Sequence, residues 1–441
     1  MSDSTRLGRA RGKMLPVAIV AAALAAMLVI APLASAASSP ISSGTTTLTI
    51  NKGLLKKAKK AGIKFAAVKP AKVKGNKGTF PVTGGEIEVT TGSGSVTHGG
   101  GLKVKWGKKS VTLKSLTIST SGKSLSAKVG GKTVKVATLA GTSVARLGFG
   151  DSISAKKIKL TKAGAKALNK ITPAPIRVKV KKKGKTVTKT VKTKPPFKKN
   201  MVLGSSVTEV EPETVGVLQT GSLTYNGDEG LLKKLADVKV KIETISPTSN
   251  SGNTYVSAIS GGTISPLGTT GAVNSSGGLK LVQNLPTSPT TSLSTTITLG
   301  SIGVDLAAKT ATVEVIGESN VEENGKKPLN LGNLGRSSIA DLTVTGLSPS
   351  PATRTVSYSA NAAIQPVAAE VLGSFAKVFQ GYTSLVFAQT LQKEIEEGKK
   401  PVMGKAEIEA AAKKAGEEAV ANDQIKAGES LGSFSFTATG E

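Results

Sequence analysis

The segment Gly94-Ser-Val-Thr-His-Gly-Gly-Gly-Leu-Lys103 returns 177 positions later as Gly271-Ala-Val-Asn-Ser-Ser-Gly-Gly-Leu-Lys280. A second pair keeps the same offset: Ser43-Gly-Thr-Thr-Thr-Leu-Thr-Ile-Asn-Lys-Gly-Leu-Leu-Lys-Lys57 against Thr220-Gly-Ser-Leu-Thr-Tyr-Asn-Gly-Asp-Glu-Gly-Leu-Leu-Lys-Lys234. Two islands in one register mark an internal duplication. The chain must therefore build one unit twice, and the protein's single histidine, His98, falls in only one copy, with Ser275 in its place in the other.

Each copy reads as mainly β. Alternating segments rich in Val, Ile and Thr, separated by glycine or lysine turns at hairpin spacing, predict strands over 45–50, 86–90, 102–106, 111–119, 125–129 and 133–136. Leu54, Leu55 and Ala58 share one face of a short lysine-rich helix over 53–62, and Thr161 caps another over 162–168. A lysine-rich hairpin over 176–191 follows, and Pro195-Pro196 ends the first unit near residue 200. In the second unit Thr254-Tyr255 stands for Thr79-Phe80, Gly261-Gly262 for Gly84-Gly85, and Ile297 to Ile302 for Val111 to Leu116. The last match has a larger offset, which places an insertion in the loop around 285–293. A helical insertion at about 362–421, interrupted near Pro401, precedes a closing strand from Ser430 to Ala438. The expected architecture is two related antiparallel β-rich domains with short helices, a linker at 37–43, domains at 44–200 and 201–441, and a longer helical insertion near the C-terminus.

The N-terminus carries Arg6, Arg9, Arg11 and Lys13, an apolar run to Leu33, and Ala34-Ser35-Ala36. This layout predicts a signal peptide over 1–36, cleaved after Ala36, a secreted or envelope-associated product, and membrane contact only through that segment if it is uncleaved. The absence of cysteine rules out a disulfide framework and thiolate metal sites. Residues 51–200 hold 37 Lys and Arg against three acids, Glu86, Glu88 and Asp151, while the remainder is slightly acidic. A basic lobe of this kind adsorbs to anionic polymers, headgroups or acidic ligands through salt-screened attraction.

Chemistry-bearing motifs are few. No Gly-x-Ser-x-Gly elbow accompanies His98, so no hydrolytic triad and no catalytic residue is assigned, and the expectation is a protein that is not an enzyme. One histidine without cysteine is too few ligands for zinc. Glu86 and Glu88 read as counter-charges among lysines, and Gly130-Gly131-Lys132-Thr133 as a hairpin turn rather than a phosphate loop. The basic unit lacks interleaved stacking aromatics, which argues against a specific nucleic-acid partner. His98, between a strand and a Gly-Gly-Gly turn, is the one ligand-binding candidate, suited to haem iron or to a partner of an iron-bound tyrosinate, and its plain alternative is a turn histidine with no partner.

Taken in order, Gly44-Thr-Thr-Thr-Leu-Thr49, Phe80-Pro-Val-x-Gly-Gly85, Gly94-Ser-Val-x-His-x-Gly-Gly-Leu102, Leu125-x-Ala-x-Val129 and Leu160-Thr-x-Ala-Gly-Ala165 resemble the HtaA-type domain of actinobacterial secreted and surface proteins. The resemblance covers most of 41–175 and, weakly, 215–440. It implies a β-rich module that takes haem from proteins and passes it toward an importer, with a tyrosine on the iron supported by the histidine at the position of His98. The first unit departs from that pattern: it has no tyrosine, and Tyr225, Tyr255, Tyr358 and Tyr382 all lie in the second. Two functions follow as expectations. One is a haem or porphyrin binder, with haem or a haem-carrying protein as partner, using His98 and nearby lysines. The other is a structural or adhesive envelope protein that has lost haem binding and attaches to anionic wall polymers through its basic domain, including the lysines at 181–183.

Overall fold

The computed structural model describes residues 38–441 apart from 90, 183–184, 192, 289, 321–329, 401–402 and 423, so the signal segment and Pro401 lie outside the described residues. The first half runs β1 (Ser39–Ile50), α1 (Lys52–Lys60), β2 (Ile63–Val68), β3 (Lys72–Lys74), β4 (Lys77–Glu88), β5 (Ser93–His98), β6 (Gly101–Trp106), β7 (Lys109–Ser119), β8 (Ser124–Val129), β9 (Lys132–Leu147), β10 (Gly150–Leu160), α2 (Lys162–Leu168), β11 (Ile176–Lys182), β12 (Lys185–Val191) and β13 (Val202–Pro212). Eight of these strands close a ring in the order β1-β4-β5-β7-β8-β9-β10-β13, sealed by the β7–β8 pairing and by β13 returning to β1. Closure leaves no unpaired edge around the ring, which is how an antiparallel sheet this size avoids templating aggregation.

The second half repeats the plan with β14 (Val215–Gly216), β15 (Ser222–Gly227), α3 (Glu229–Asp237), β16 (Val240–Ile245), β17 (Ser249–Ser251), β18 (Thr254–Ile264), β19 (Gly271–Ser275), β20 (Gly278–Ser288), β21 (Thr291–Asp305), β22 (Thr310–Ser319), β23 (Asn330–Ser350), β24 (Thr355–Ile364), α4 (Pro366–Glu396), α5 (Lys405–Ala419) and β25 (Ser430–Thr439). Its ring is β15-β18-β19-β21-β22-β23-β24-β25, the same order strand for strand. The molecule is mainly β, two antiparallel barrels with short helices and one long helical excursion. That excursion starts at Pro366 rather than 362, because Ala362 pairs with Gly432 in the β24–β25 ladder. The last strand of the first barrel, β13, lies beyond the boundary expected near residue 200, since Thr208 pairs with both Thr46 and Ile153.

Local chemistry explains the elements that shape the barrel mouths. Asn51 caps α1 by accepting from the Leu54 amide at 3.0 Å, and Asp228 caps α3 by accepting from the Leu231 amide at 3.0 Å. Thr161 caps α2, as its sequence position predicts. Gly130 and Gly131 form the two-residue β8–β9 turn with φ of 55° and 81°, a conformation that suits glycine in a tight hairpin. Ladder register also corrects one match: Asn250 faces Tyr255 as Val73 faces Gly78, so Tyr255 corresponds to Gly78 and not to Phe80.

The barrels meet through the β9–β10 turn. Phe149 leaves the first barrel and packs into the core of the second against Val215 and Gly440. Beside it Arg146 donates to the Val89 carbonyl at 2.7 Å, to Asp151 at 3.4 Å and to the backbone oxygen of Glu441. The β11–β12 hairpin pairs only with itself, outside the ring. Among the described residues no helix is long and apolar enough to cross a membrane.

Candidate functional site

His98 ends β5, and its ring points into the first barrel, 4% exposed. Its placement follows from an irregularity in the facing strand. Ser115 takes a φ of 48°, and the β7–β8 ladder skips Ser115 and Leu116. Such a bulge takes the Leu116 carbonyl out of the ladder, and a buried carbonyl without a donor costs free energy. His98 Nδ1 lies 2.9 Å from that oxygen. A carbonyl only accepts, so Nδ1 carries the proton and Nε2 is the acceptor. Nε2 then receives the Thr46 hydroxyl proton at 2.6 Å, and Thr46 receives that of Thr208 at 2.8 Å. Burial holds the imidazole below its ordinary pKa, and the bond to Leu116 offsets part of that shift.

The same bulge exists in the second barrel. Ser301 has a φ of 48°, the β21–β22 ladder skips Ser301 and Ile302, and Ser275 donates to the Ile302 carbonyl at 3.1 Å. Ser275 thus replaces one half of the histidine's bonding. The other half is gone, because Leu223 occupies the place of Thr46 and Phe436 that of Thr208, as their mutual pairing in the β15–β25 ladder shows.

Each barrel also holds an apolar chamber between its opening helix and the barrel wall. In the first barrel it measures about 50 Å³ and is lined by Leu48, Leu54, Phe65, Leu102, Val104 and Leu116 among others. In the second it measures about 80 Å³, and the corresponding residues are Tyr225, Leu231, Ile242, Leu279, Leu281 and Ile302. A small space of about 20 Å³ beside His98 adjoins the first chamber through Leu48, Phe80 and Leu116, so the imidazole lies beneath the chamber's floor, behind these side chains.

Charge distinguishes the two helices. All five lysines of α1 are exposed and it has no acid, whereas α3 balances Lys233 and Lys234 with Glu229 and Asp237. Lys234 is further paired with Glu429 at 2.9 Å. The remaining sequence candidates fall elsewhere. Glu86 accepts from Ser38 and Glu88 from Thr91, at the end of the barrel away from α1. Of the tyrosines, Tyr225 reaches the second chamber, but its hydroxyl donates to the Leu431 carbonyl at 2.8 Å and burial pushes its pKa upward, with Tyr255 and Asp228 adding to the shift. Among the described residues no group of three or more His, Asp or Glu is placed to hold a metal ion.

The chamber residues are apolar, as the body of a porphyrin requires, but the closed chambers of about 50 and 80 Å³ are smaller than a porphyrin, and the polar atoms around them do not suit its iron. Both nitrogens of His98 are engaged within the barrel, and the one tyrosine at a chamber is buried, hydrogen-bonded and disfavoured as a phenolate. The chambers were missed by sequence reasoning. The signal for them was the repeated Gly-Leu-Leu-Lys-Lys, which places two leucines under a helix in each copy.

No family model matches the chain, and no curated protein does. Among solved structures it is similar to the C-terminal domain of HtaA from Corynebacterium glutamicum, at 14% identity and a TM-score of 0.28, over 51% of this chain and 98% of that one. It is also similar to the N-terminal domain of HtaA from the same organism, at 10% identity and a TM-score of 0.29, over 50% of this chain and 97% of that one. Each match takes up about half of this chain and nearly all of the solved domain.

Proposed function

We propose that the chain is a non-enzymatic binding protein that takes an apolar ligand bearing carboxylates, a class that includes haem and iron-free porphyrin, into the space beneath α1, which widens from its closed volume of about 50 Å³ by displacement of that helix. The observation that carries this reading is the pairing of a wholly apolar chamber with a helix whose exposed charges are all lysines. The chamber strips water from the ligand's body, and the ammonium groups at the mouth attract its carboxylates. His98, a neutral ring behind Leu48, Phe80 and Leu116, supports the chamber floor, and recognition does not require the iron. The proposal includes removal of residues 1–36 and an extracellular location.

Titration of haem and of iron-free protoporphyrin, followed by absorbance, tests the reading. Saturable shifts with similar micromolar affinity for both, lost when Leu102→Trp fills the chamber, support it. No saturable shift with either overturns it, and a large preference for haem overturns the iron-independent part. Attachment to anionic wall polymers is the second reading, favoured by the lysine-rich β11–β12 hairpin standing outside the ring. Salt-reversible retention on wall material, with no porphyrin binding, is the outcome that selects it.

A further inference from the structure

The end of the first barrel opposite α1 is open to a lumen of about 450 Å³, within the size range of small-ligand pockets. Its wall mixes aliphatic side chains with hydroxyls from Thr142, Ser206 and Thr208, while the Ser154 hydroxyl turns to the outer face and bonds that of Ser143 at 2.8 Å. Among the described residues two ionisable groups border it, Glu88 and Lys123, one of each sign. All of its lining residues belong to the first barrel.

The duplicated barrel shows what closes such a space. Ser206 pairs with Leu48 and Ala155, and Phe434 pairs with their counterparts Tyr225 and Ala360. Thr208 pairs with Thr46 and Ile153, and Phe436 with Leu223 and Tyr358. Where the first barrel has Ser206, Thr208 and Ile153, the second therefore has Phe434, Phe436 and Tyr358. The last two rings stack at 5.1 Å, and Phe434 stacks on Tyr225 at 5.0 Å. One scaffold is filled by aromatics at this level, and the other is emptied by small hydroxylated side chains.

The hydrogen-bond chain from His98 fixes the polarity of the lumen wall. Thr208 spends its proton on Thr46, whose own proton is held by Nε2 of the neutral imidazole, so the Thr208 oxygen, almost wholly covered at the base of the lumen with the residue 1% exposed, has only lone pairs to give. Such an acceptor at the base of a pocket selects a ligand with an O–H or N–H to give. The balanced rim selects one without net charge.

We propose that this lumen is a second binding site, for a small, net-neutral, hydroxyl-bearing molecule of hexose size or below, separated from the chamber beneath α1 by the His98 layer. The side chains pair hydroxyls for the ligand's oxygens with aliphatic surface for its carbon skeleton. It is independent of the porphyrin reading, because the two compartments open at opposite ends of the barrel.

The test uses the full chain and three probes, myo-inositol, glucose and glycerol, with saturation-transfer NMR across the millimolar range. Saturable transfer to at least one probe is expected. It should weaken about tenfold in Thr208→Val, which keeps the shape and removes the acceptor, and vanish in Ser206→Phe, which installs the side chain of the second barrel. Thr208→Val should keep any porphyrin binding at the other end, whereas Ser206→Phe, which also borders the space beside His98, is read for the lumen alone. Absence of saturable transfer from all three probes, or transfer unchanged in Thr208→Val and in folded Ser206→Phe, overturns the site. Should Ser206→Phe fail to fold, Thr208→Val decides alone.

Discussion

His98 and Ser275 donate to the same carbonyl of the same bulge in two copies of one barrel, His98 to Leu116 and Ser275 to Ile302. The histidine's first task is thus structural, and it is shared with a residue of very different size. What His98 adds is the acceptor nitrogen that orders Thr46 and Thr208.

This gives a substitution series. His98→Ala leaves the Leu116 carbonyl without its side-chain donor, takes from the Thr46 hydroxyl its acceptor so that only Thr208 remains to it, and opens a void, so a loss of about 2–4 kcal/mol is expected. His98→Ser combined with Thr46→Leu and Thr208→Phe rebuilds the second barrel's arrangement and should lose less than His98→Ala. Urea unfolding at constant m-value checks the order.

The buried imidazole makes stability depend on pH in one direction. Its pKa is lowered on folding, chiefly by burial, so the unfolded chain binds the proton more readily. Its contribution is complete above about pH 6.5, the unfolded value, and falls as pH drops below it, by at most about 1.4 kcal/mol per unit. Unfolding free energies of the wild type and His98→Ala should therefore converge between pH 7 and pH 5, and a difference that grows on acidification would refute the assignment.

At the junction, Phe149→Ala removes a ring, 2% exposed, that belongs by sequence to one barrel and by packing to the other. A loss of about 3–5 kcal/mol is expected in the unfolding of the second barrel, the range for emptying a buried phenylalanine site. Arg146→Met should loosen the same junction, read as separation of one thermal transition into two in calorimetry.

Gln283, fully buried, donates to the Val238 carbonyl at 2.7 Å and to the Phe375 carbonyl at 3.0 Å, tying α4 to the second barrel. Gln283→Leu removes both bonds, leaving the Phe375 carbonyl only its helical amide and the Val238 carbonyl without this donor, and should cost about 1–3 kcal/mol. Hydrogen exchange in α4 should quicken in this variant while the β15–β25 ladder stays protected.

Much of the frame was legible in the sequence because period-two alternation and glycine turns are local signals. The β8–β9 hairpin, the Thr161 cap and the offset repeat of His98 by Ser275 all follow from neighbours in the chain. The first barrel's end was not, since β13 is claimed by Thr46 and Ile153, far away in sequence, and Pro195-Pro196 looks like a terminus. The start of the helical excursion was misplaced for the same reason: Ala-rich 360–363 carries little preference of its own, and pairing with β25 decides it. The lumen was illegible, because an empty interior is written only in side-chain volume, and Ser206 and Thr208 look like ordinary polar strand residues until Phe434 and Phe436 are set beside them.

Ring closure by backbone hydrogen bonds has an outcome beyond stability. Since the wall holds itself together, the contents can be rewritten without renegotiating the perimeter, and one genetic duplication yields a vessel and a stopper from the same mould. Selection on such a protein can act on a handful of inward positions, so relatives of this chain should differ most in what they carry and least in how they stand.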